Sequence, residues 1–447
     1  MNRQYMLTLL VLLPISLAAQ SRWSLKSCIE YGLKNNRSNA VYANEKRIAD
    51  AKAKEALAAY LPVVSINSTL DNNLKVQQTV IPAGIFSPND IRVAFTKKIN
   101  TNHVARLDQV LFDQSLITGL KSNKYNIQQA ELNERGNKER IIYNISNTFA
   151  NIFVYREQRS LYRTNLESYR AQKDIIALQV NKGTVLQKNL DKVTVDYNNT
   201  LSQLRVSESN LALAENQLKY EMGYPMEKVL VIDSISAARE FTKLPASRGE
   251  KKTFLAGNRA DYTLSEVNAK LLEIDQGRIR AGSLPRLTAY AQYGAVGFGD
   301  QVGPAFSTLS PYSAIGLKLT IPVFDYFKRN AQYKQAKLKR LNALENLKID
   351  QDTYALEYQE ALAKVLNEQT NMDNNRRNAL LAKSVFDTTN LQFSKGITDL
   401  TDWLNAQNSL KEAQNNYLIS LYAFFQARVE VEKAAGTLTT FYNSLSN

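Results

Sequence analysis

The sequence has one cysteine, Cys28, and one histidine, His103. A single thiol makes no intramolecular disulfide, and one histidine with one cysteine falls short of the usual His/Cys metal sites. The same scarcity disfavours a Ser/His/Asp triad. A phosphate-binding GxxxxGK[ST] loop, a GxGxxG turn after a strand and an HExxH helix are all missing. These absences speak against an enzyme, and no catalytic residue, cofactor or metal is expected. Cys28 reads as a packing residue on a helix face.

Long hydrophobic runs are scarce as well. The longest is Met6 to Leu17, behind the lone cation Arg3 and ahead of Ala18-Ala19-Gln20, the pattern of a secretory signal peptide over residues 1–20. Beyond it no stretch approaches the ~20 apolar residues of a spanning helix. The formal net charge is +14, yet no basic run reaches five residues. The excess reads as dispersed over solvated helix faces, and no nucleic acid partner is expected.

Proline is confined. Of the ten prolines all but Pro14 fall in residues 62–88, 225–245 and 285–322, which leaves 89–224 and 323–447 free for long helices. One helix from Gln114 to Asn181 would extend on the order of 100 Å at 1.5 Å per residue.

What is present is a duplication. Shifted by 213 residues, Lys182-Gly183 falls on Lys395-Gly396 and Gly223 on Gly436. Between these anchors run two seven-residue hydrophobic rows, Leu190, Tyr197, Leu204, Leu211, Leu218 and Trp403, Leu410, Tyr417, Phe424, Val431. Such rows are seams of antiparallel coiled-coil helices, each half turning back at its glycine. The segments 36–60 and 258–281 would stack end to end on the shorter return helices.

The proline-containing regions change period. Val64, Ile66, Ser68, Leu70; Ala105, Leu107, Leu111; Leu287, Ala289, Ala291, Tyr293; and Ile315, Leu317, Leu319, Ile321 each alternate with a second, mostly more polar set. This predicts two strands of about ten residues in each half, the length that crosses a bilayer at a tilt. Long loops, 72–101 and 297–311, and aromatic residues at strand ends, Phe112, Phe324, Tyr326 and Phe327, fit a membrane barrel with exterior loops. Four strands cannot close a barrel in lipid, so it must be shared between chains. Two copies would give eight strands with a filled interior, three would give twelve around an aqueous lumen.

At this point the chain resembles the TolC-type outer membrane efflux proteins over nearly its whole mature length. The resemblance rests on the run Leu25 to Asn36, the entries Tyr60-Leu61-Pro62 and Ser283-Leu284-Pro285, the exits Leu111-Phe112-Asp113 and Val323-Phe324-Asp325, and the second tip Phe393 to Ala406. It implies a mainly α fold with membrane β-strands: four per chain, forming a trimeric twelve-stranded barrel continued by a twelve-helix α-barrel. It also implies outer membrane location with a periplasmic extension. The layout expected is residues 21–225 for the first repeat (strands about 62–72 and 102–112, tip 182–186) and 226–257 for an equatorial linker. The second repeat would take 258–440 (strands about 285–296 and 312–323, tip 395–400), with 441–447 as a tail.

The function implied is a passive exit duct of a tripartite efflux or type I secretion system. Its partners would be two further copies in a homotrimer, a periplasmic adaptor (membrane fusion) protein, an inner-membrane transporter and outer membrane lipid. Asp399, Asp402 and Asn405 fall where the family keeps its periplasmic gate. Asn405 stands where a second acidic residue is usual, and Thr398 where a basic one often is. The tips, Gly183, Thr184, Val185, Leu186, Gly396, Ile397, Thr398 and Leu400, are small or apolar and suit adaptor docking. The rival reading is an exported soluble coiled-coil binding or scaffold protein, with its sheet folded onto the helices.

Overall fold

Four glycines with positive φ, near +70°, close the ends of the four long-helix segments that make the hairpins: Gly183, Gly223, Gly396 and Gly436. At each one the same pair of hydrogen bonds forms. Thr184 N–H reaches back to Gln179 O (3.0 Å) and Gly183 N–H to Val180 O (2.9 Å); Ile397 and Gly396 repeat this on Gln392 and Phe393. The left-handed residue satisfies carbonyls that the ending helix would leave bare, and glycine takes that conformation without a Cβ penalty.

The computed structural model describes residues 23–233 and 254–445. The expected signal peptide and most of the expected linker lie outside them. In chain order the elements are α1 (Leu25–Asn35), α2 (Arg37–Ala58), β1 (Val63–Asn72), β2 (Thr79–Ile81), β3 (Ile91–Val93), β4 (Ile99–Phe112), α3 (Gln114–Leu120), α4 (Ser122–Asn181) and α5 (Gln187–Met222). A short 3-10 turn at Ala256–Asn258 leads to α6 (Ala260–Ala281), β5 (Arg286–Gly299), α7 (Val302–Ser307), β6 (Leu309–Thr320), α8 (Lys328–Ser394), α9 (Leu400–Ala434) and α10 (Leu438–Ser444).

The chain divides into two units. One comprises the described residues of Met1–Val41, Arg135–Arg259 and Asp352–Asn447, the other Tyr42–Glu134 and Ala260–Gln351. The first unit is the helical one, and α4 runs through its core. Ile141, Ile142, Ile145, Phe149 and Ile152 of α4 meet Leu211 and Leu218 of α5 and Leu418, Leu421 and Phe425 of α9. Cys28 and Ile29 of α1 are fully buried in the same cluster, and Leu438, Phe441 and Leu445 bring the C-terminal segment onto it as α10. Burial of such side chains contributes about 1.5–3 kcal/mol each. Beside the hydrophobic rows runs a second row three residues on, Val193, Thr200, Ser207, Ala214 and Ala406, Ser420, Ala427, Ala434, all buried. These smaller residues let neighbouring helices approach closely.

The second unit holds a four-stranded antiparallel sheet in the order β1-β4-β5-β6 and a small β2-β3 ribbon. The expected single helix from Gln114 is interrupted. Asp113 caps α3 through Ser115 N and Leu116 N, and α3 stops at Leu120 before α4 begins at Ser122. Gly119, a poor helix former, lies just before the break and faces Arg278 of α6. The loops also carry more structure than their composition suggested, in the β2-β3 ribbon and in α7.

Candidate functional site

Register decides what each face of the sheet shows. Val64 lies opposite Leu107, Leu107 opposite Ala291, and Ala291 opposite Ile315, so one apolar row crosses all four strands. One residue along, Ser65, Arg106, Gln292 and Ala314 form the next row on the other face. A period of two sends alternate side chains to opposite faces, so a mostly apolar set separates from a mostly polar one.

Among the described residues nothing covers the apolar face over most of its length. Ile315 is 89% exposed, Ile66 78% and Leu317 68%. The three hydrophobic clusters of the described residues all lie in the helical unit, and the sheet packs no core on either face. Among the described residues the apolar side is capped at the end where β4 begins: Thr101 Oγ1 donates to Ala305 O (2.7 Å) and Phe306 of α7 lies 5.4 Å from the His103 ring. His103 also shares a 2.7 Å hydrogen bond with Ser68.

The polar face is self-satisfied. Arg106 forms an ion pair with Asp108 (2.9 Å), reaches Gln292 Oε1 (3.5 Å), and lies 4.6 Å above the Tyr290 ring. Tyr312 Oη donates to Asn102 Oδ1 (3.0 Å). A wall of this kind offers water charge and hydrogen bonds on one side and hydrocarbon on the other. Strands β1 and β6 each keep one unpaired edge.

The helical unit carries the two hairpin tips. Under them sits a cluster of Tyr169, Ile176, Val193, Leu400, Trp403 and Leu404, with Val185, Phe386 and Phe393 packed against it. Trp403 meets Tyr169 edge-on at 5.9 Å and donates from Nε1 to Asn390 Oδ1 (2.8 Å). Leu400 is only 7% exposed. It therefore braces the tip from below, and the expectation that it offers a docking surface needs that correction; Val185 is half-buried in the same cluster.

The exposed tip residues are Gly183, Thr184, Leu186, Gly396 and Ile397, with Thr398 half-buried. Leu186 is 65% and Ile397 70% exposed, and they do not correspond under the repeat. Leu186 corresponds to Asp399, which caps α9 by accepting from Asp402 N–H (2.9 Å), whereas Leu186 precedes α5 with no side-chain cap. Asp402 accepts from Thr398 Oγ1 (2.6 Å), and Asn405 is exposed one turn later. Asp399, Asp402 and Asn405 thus share the start of α9, with Asp399 already used as a cap.

Above the tips the two hairpins meet along amides. Gln407 Nε2 donates to Asn165 Oδ1 (2.9 Å) and Gln158 Nε2 to Asn415 Oδ1 (2.9 Å), while Tyr169 Oη donates to Asn408 Oδ1 (2.7 Å). On α4 these belong to a seven-residue amide series, Asn144, Asn151, Gln158, Asn165, Gln172, legible in the sequence but masked there by the stronger apolar rows. Further up, Tyr143 Oη donates to Glu430 Oε2 (2.6 Å); burial and the Glu430 carboxylate push the Tyr143 hydroxyl up to about 12.

Residues 266–437 match the family described as Outer membrane efflux protein. The chain is similar to outer membrane protein TolC of Salmonella enteritidis, 19% identical over 345 residues, spanning 76% of this chain and 70% of that one. Among solved structures it is similar to the CmeC outer membrane channel of Campylobacter jejuni, with a TM-score of 0.74 at 18% identity over 92% of this chain and 85% of that one. The outer membrane protein VceC of Vibrio cholerae gives 0.72 at 15% identity over 92% and 96%.

Proposed function

We propose that this chain, a TolC-type outer membrane efflux protein seated in the outer membrane with a periplasmic extension, is one protomer of a homotrimeric exit duct. It would conduct passively, taking substrate and energy from an inner-membrane transporter through a periplasmic adaptor. The sheet carries this reading. An apolar row from Val64 to Ile315 open to its surroundings, a hydrogen-bonded polar face behind it and two free edges suit a barrel wall. Free edges are not tolerated in hydrocarbon, so β1 and β6 must pair with other copies, and three copies leave a lumen that two would fill.

The helices support contact with further copies. Val206, Leu213 and Tyr220 are exposed at seven-residue spacing on α5, and Leu366, Leu380 and Leu391 are exposed on α8. Both rows suit coiled-coil seams to a neighbouring copy. Asp402, with Asn405 a turn on, would line the narrow end where three copies of α9 converge. Leu186 and Ile397 would be the adaptor's apolar contacts.

The test is assembly and conductance. The detergent-extracted protein should have the mass of three chains and form stable pores in a planar bilayer. A mature protein that stays in buffer without detergent and runs as a monomer would sink the duct and favour the soluble scaffold.

A further inference from the structure

At the foot of the sheet, between β6 and α8, the backbone takes an unusual turn. Tyr326 and Phe327 are consecutive non-glycine residues in the left-handed region, with φ of 49° and 62°. That conformation is costly for side chains of this size, so neighbouring contacts must hold it. Asp325 does so by accepting from Arg329 Nε (2.5 Å), and Arg329 Nη2 donates to Pro322 O (3.0 Å). The turn leaves the rings of Phe324, Tyr326 and Phe327 outside, all exposed, with Phe324 4.8 Å from Tyr326. Aromatic rings in this setting gather at a bilayer's polar boundary.

Immediately beyond, residues 328–340 carry Lys328, Arg329, Lys334, Lys337, Lys339 and Arg340, and no carboxylate. The basic excess is therefore not evenly dispersed, which corrects the reading from composition. A cavity of about 350 Å³ opens among α3, α6 and α8, lined by Arg278, Arg329 and Lys339 with Ser115, Gln332 and Gln335. Asp275, also in its wall, is held by Arg278 at 2.7 Å. Lys339 has no ion-pair partner among the described residues, and Arg329 Nη1 is buried without an acceptor. A buried guanidinium nitrogen left unsatisfied calls for one.

We propose that this cavity binds the phosphate of an anionic phospholipid in the leaflet adjoining the helix ends. This rests on the reading that the sheet's apolar face lies in lipid. Phosphate oxygens are acceptors only, and the lining offers donors: guanidinium, ammonium and amide groups, the Ser115 hydroxyl being already given to Asp113 (2.6 Å). The acyl chains would lie along the apolar face that begins beside the exposed rings. A headgroup amine would bring a second cation into an already basic site, so phosphatidylglycerol should be preferred to phosphatidylethanolamine.

Native mass spectrometry of the full-length, detergent-solubilised protein tests this with those two lipids and inorganic phosphate as probes. Phosphatidylglycerol should be retained about tenfold better than phosphatidylethanolamine, and Lys339→Gln should weaken its retention roughly fivefold. Lys383→Gln, the same charge loss in the helical unit, should change nothing. Equal retention of both lipids, or an unchanged Lys339→Gln, would overturn the site. Displacement of the lipid by inorganic phosphate at equal concentration would overturn it in favour of a soluble anion. Flotation with phosphatidylcholine vesicles separates the two ideas: wild type and Lys339→Gln should both float, and if neither does, the membrane reading itself has failed.

Discussion

Gly223 abuts Asn35 so closely that a Cβ on it would sit 2.5 Å from the Asn35 carbonyl oxygen. The repeat reproduces the contact: a Cβ on Gly436 would sit 2.7 Å from Asn258 C and O. In both places a helix ends in a left-handed glycine against the chain that enters α2 or α6, and Asn36 Nδ2 donates to Glu221 O (2.6 Å) across the first joint. Gly183 and Gly396 share the backbone conformation but have open space around them.

Alanine should therefore separate the four glycines. At Gly183 or Gly396 it should cost about 1–2 kcal/mol, the left-handed penalty alone. At Gly223 or Gly436 the backbone clash adds to this, and thermal melting should drop clearly further. Equal losses at all four would refute the close-packed joints.

The two carboxylates at the second tip are placed differently: Asp399 caps α9, while Asp402 accepts from Thr398 and is the one proposed for the gate. Asp399→Ala removes the cap of α9 and should cost about 0.5–2 kcal/mol in stability. Asp402→Ala leaves the cap in place, so stability should hold while the cation preference of single-channel currents falls. Unchanged selectivity in Asp402→Ala would remove that residue from the gate.

Asn165 and Gln407 form a buried amide pair in which Asn165 Nδ2 and Gln407 Oε1 lack partners. Replacing one by leucine strands the other and should cost about 1–3 kcal/mol, whereas Asn165→Leu with Gln407→Leu should be near neutral or stabilising. A denaturant double-mutant cycle reads the difference, and additive losses would rule it out.

The raised Tyr143 hydroxyl sets an alkaline limit. The folded state holds this proton more tightly than the unfolded chain, so its contribution is full below pH 10, the ordinary value, and is lost as pH rises through about 12. Melting temperatures of wild type should fall over that window more steeply than those of Tyr143→Phe, and parallel curves would contradict the assignment.

On the sheet, Ile315→Lys should cost about 2–4 kcal/mol of stability in a bilayer. Ala314→Lys, one residue along on the polar face, should be tolerated. Vesicle refolding yields that rank the two alike would argue against a lipid-facing row.

Much of the fold was legible because period and side-chain type carry it. The alternation at Ile315, Leu317 and Leu319 marks a strand whatever surrounds it, and the glycines 213 apart mark the turns. The site was less legible. Leu400 and Ile397 are both aliphatic residues near one glycine, yet one is buried and the other exposed, since only packing against Tyr169 and Trp403 draws Leu400 inward. The α7 cap was hidden in a loop because its contacts, Thr101 to Ala305, join residues far apart in the chain.

By itself the sequence determined the duplication, the long helices and the two-faced strands, because these follow from local spacing and backbone chemistry. Only the tertiary structure decided which tip residues stay accessible, where the amide seam runs and that Arg278 of α6 meets Arg329 and Lys339 of α8 in one cavity. Those depend on contacts between distant segments, which local periodicity does not encode.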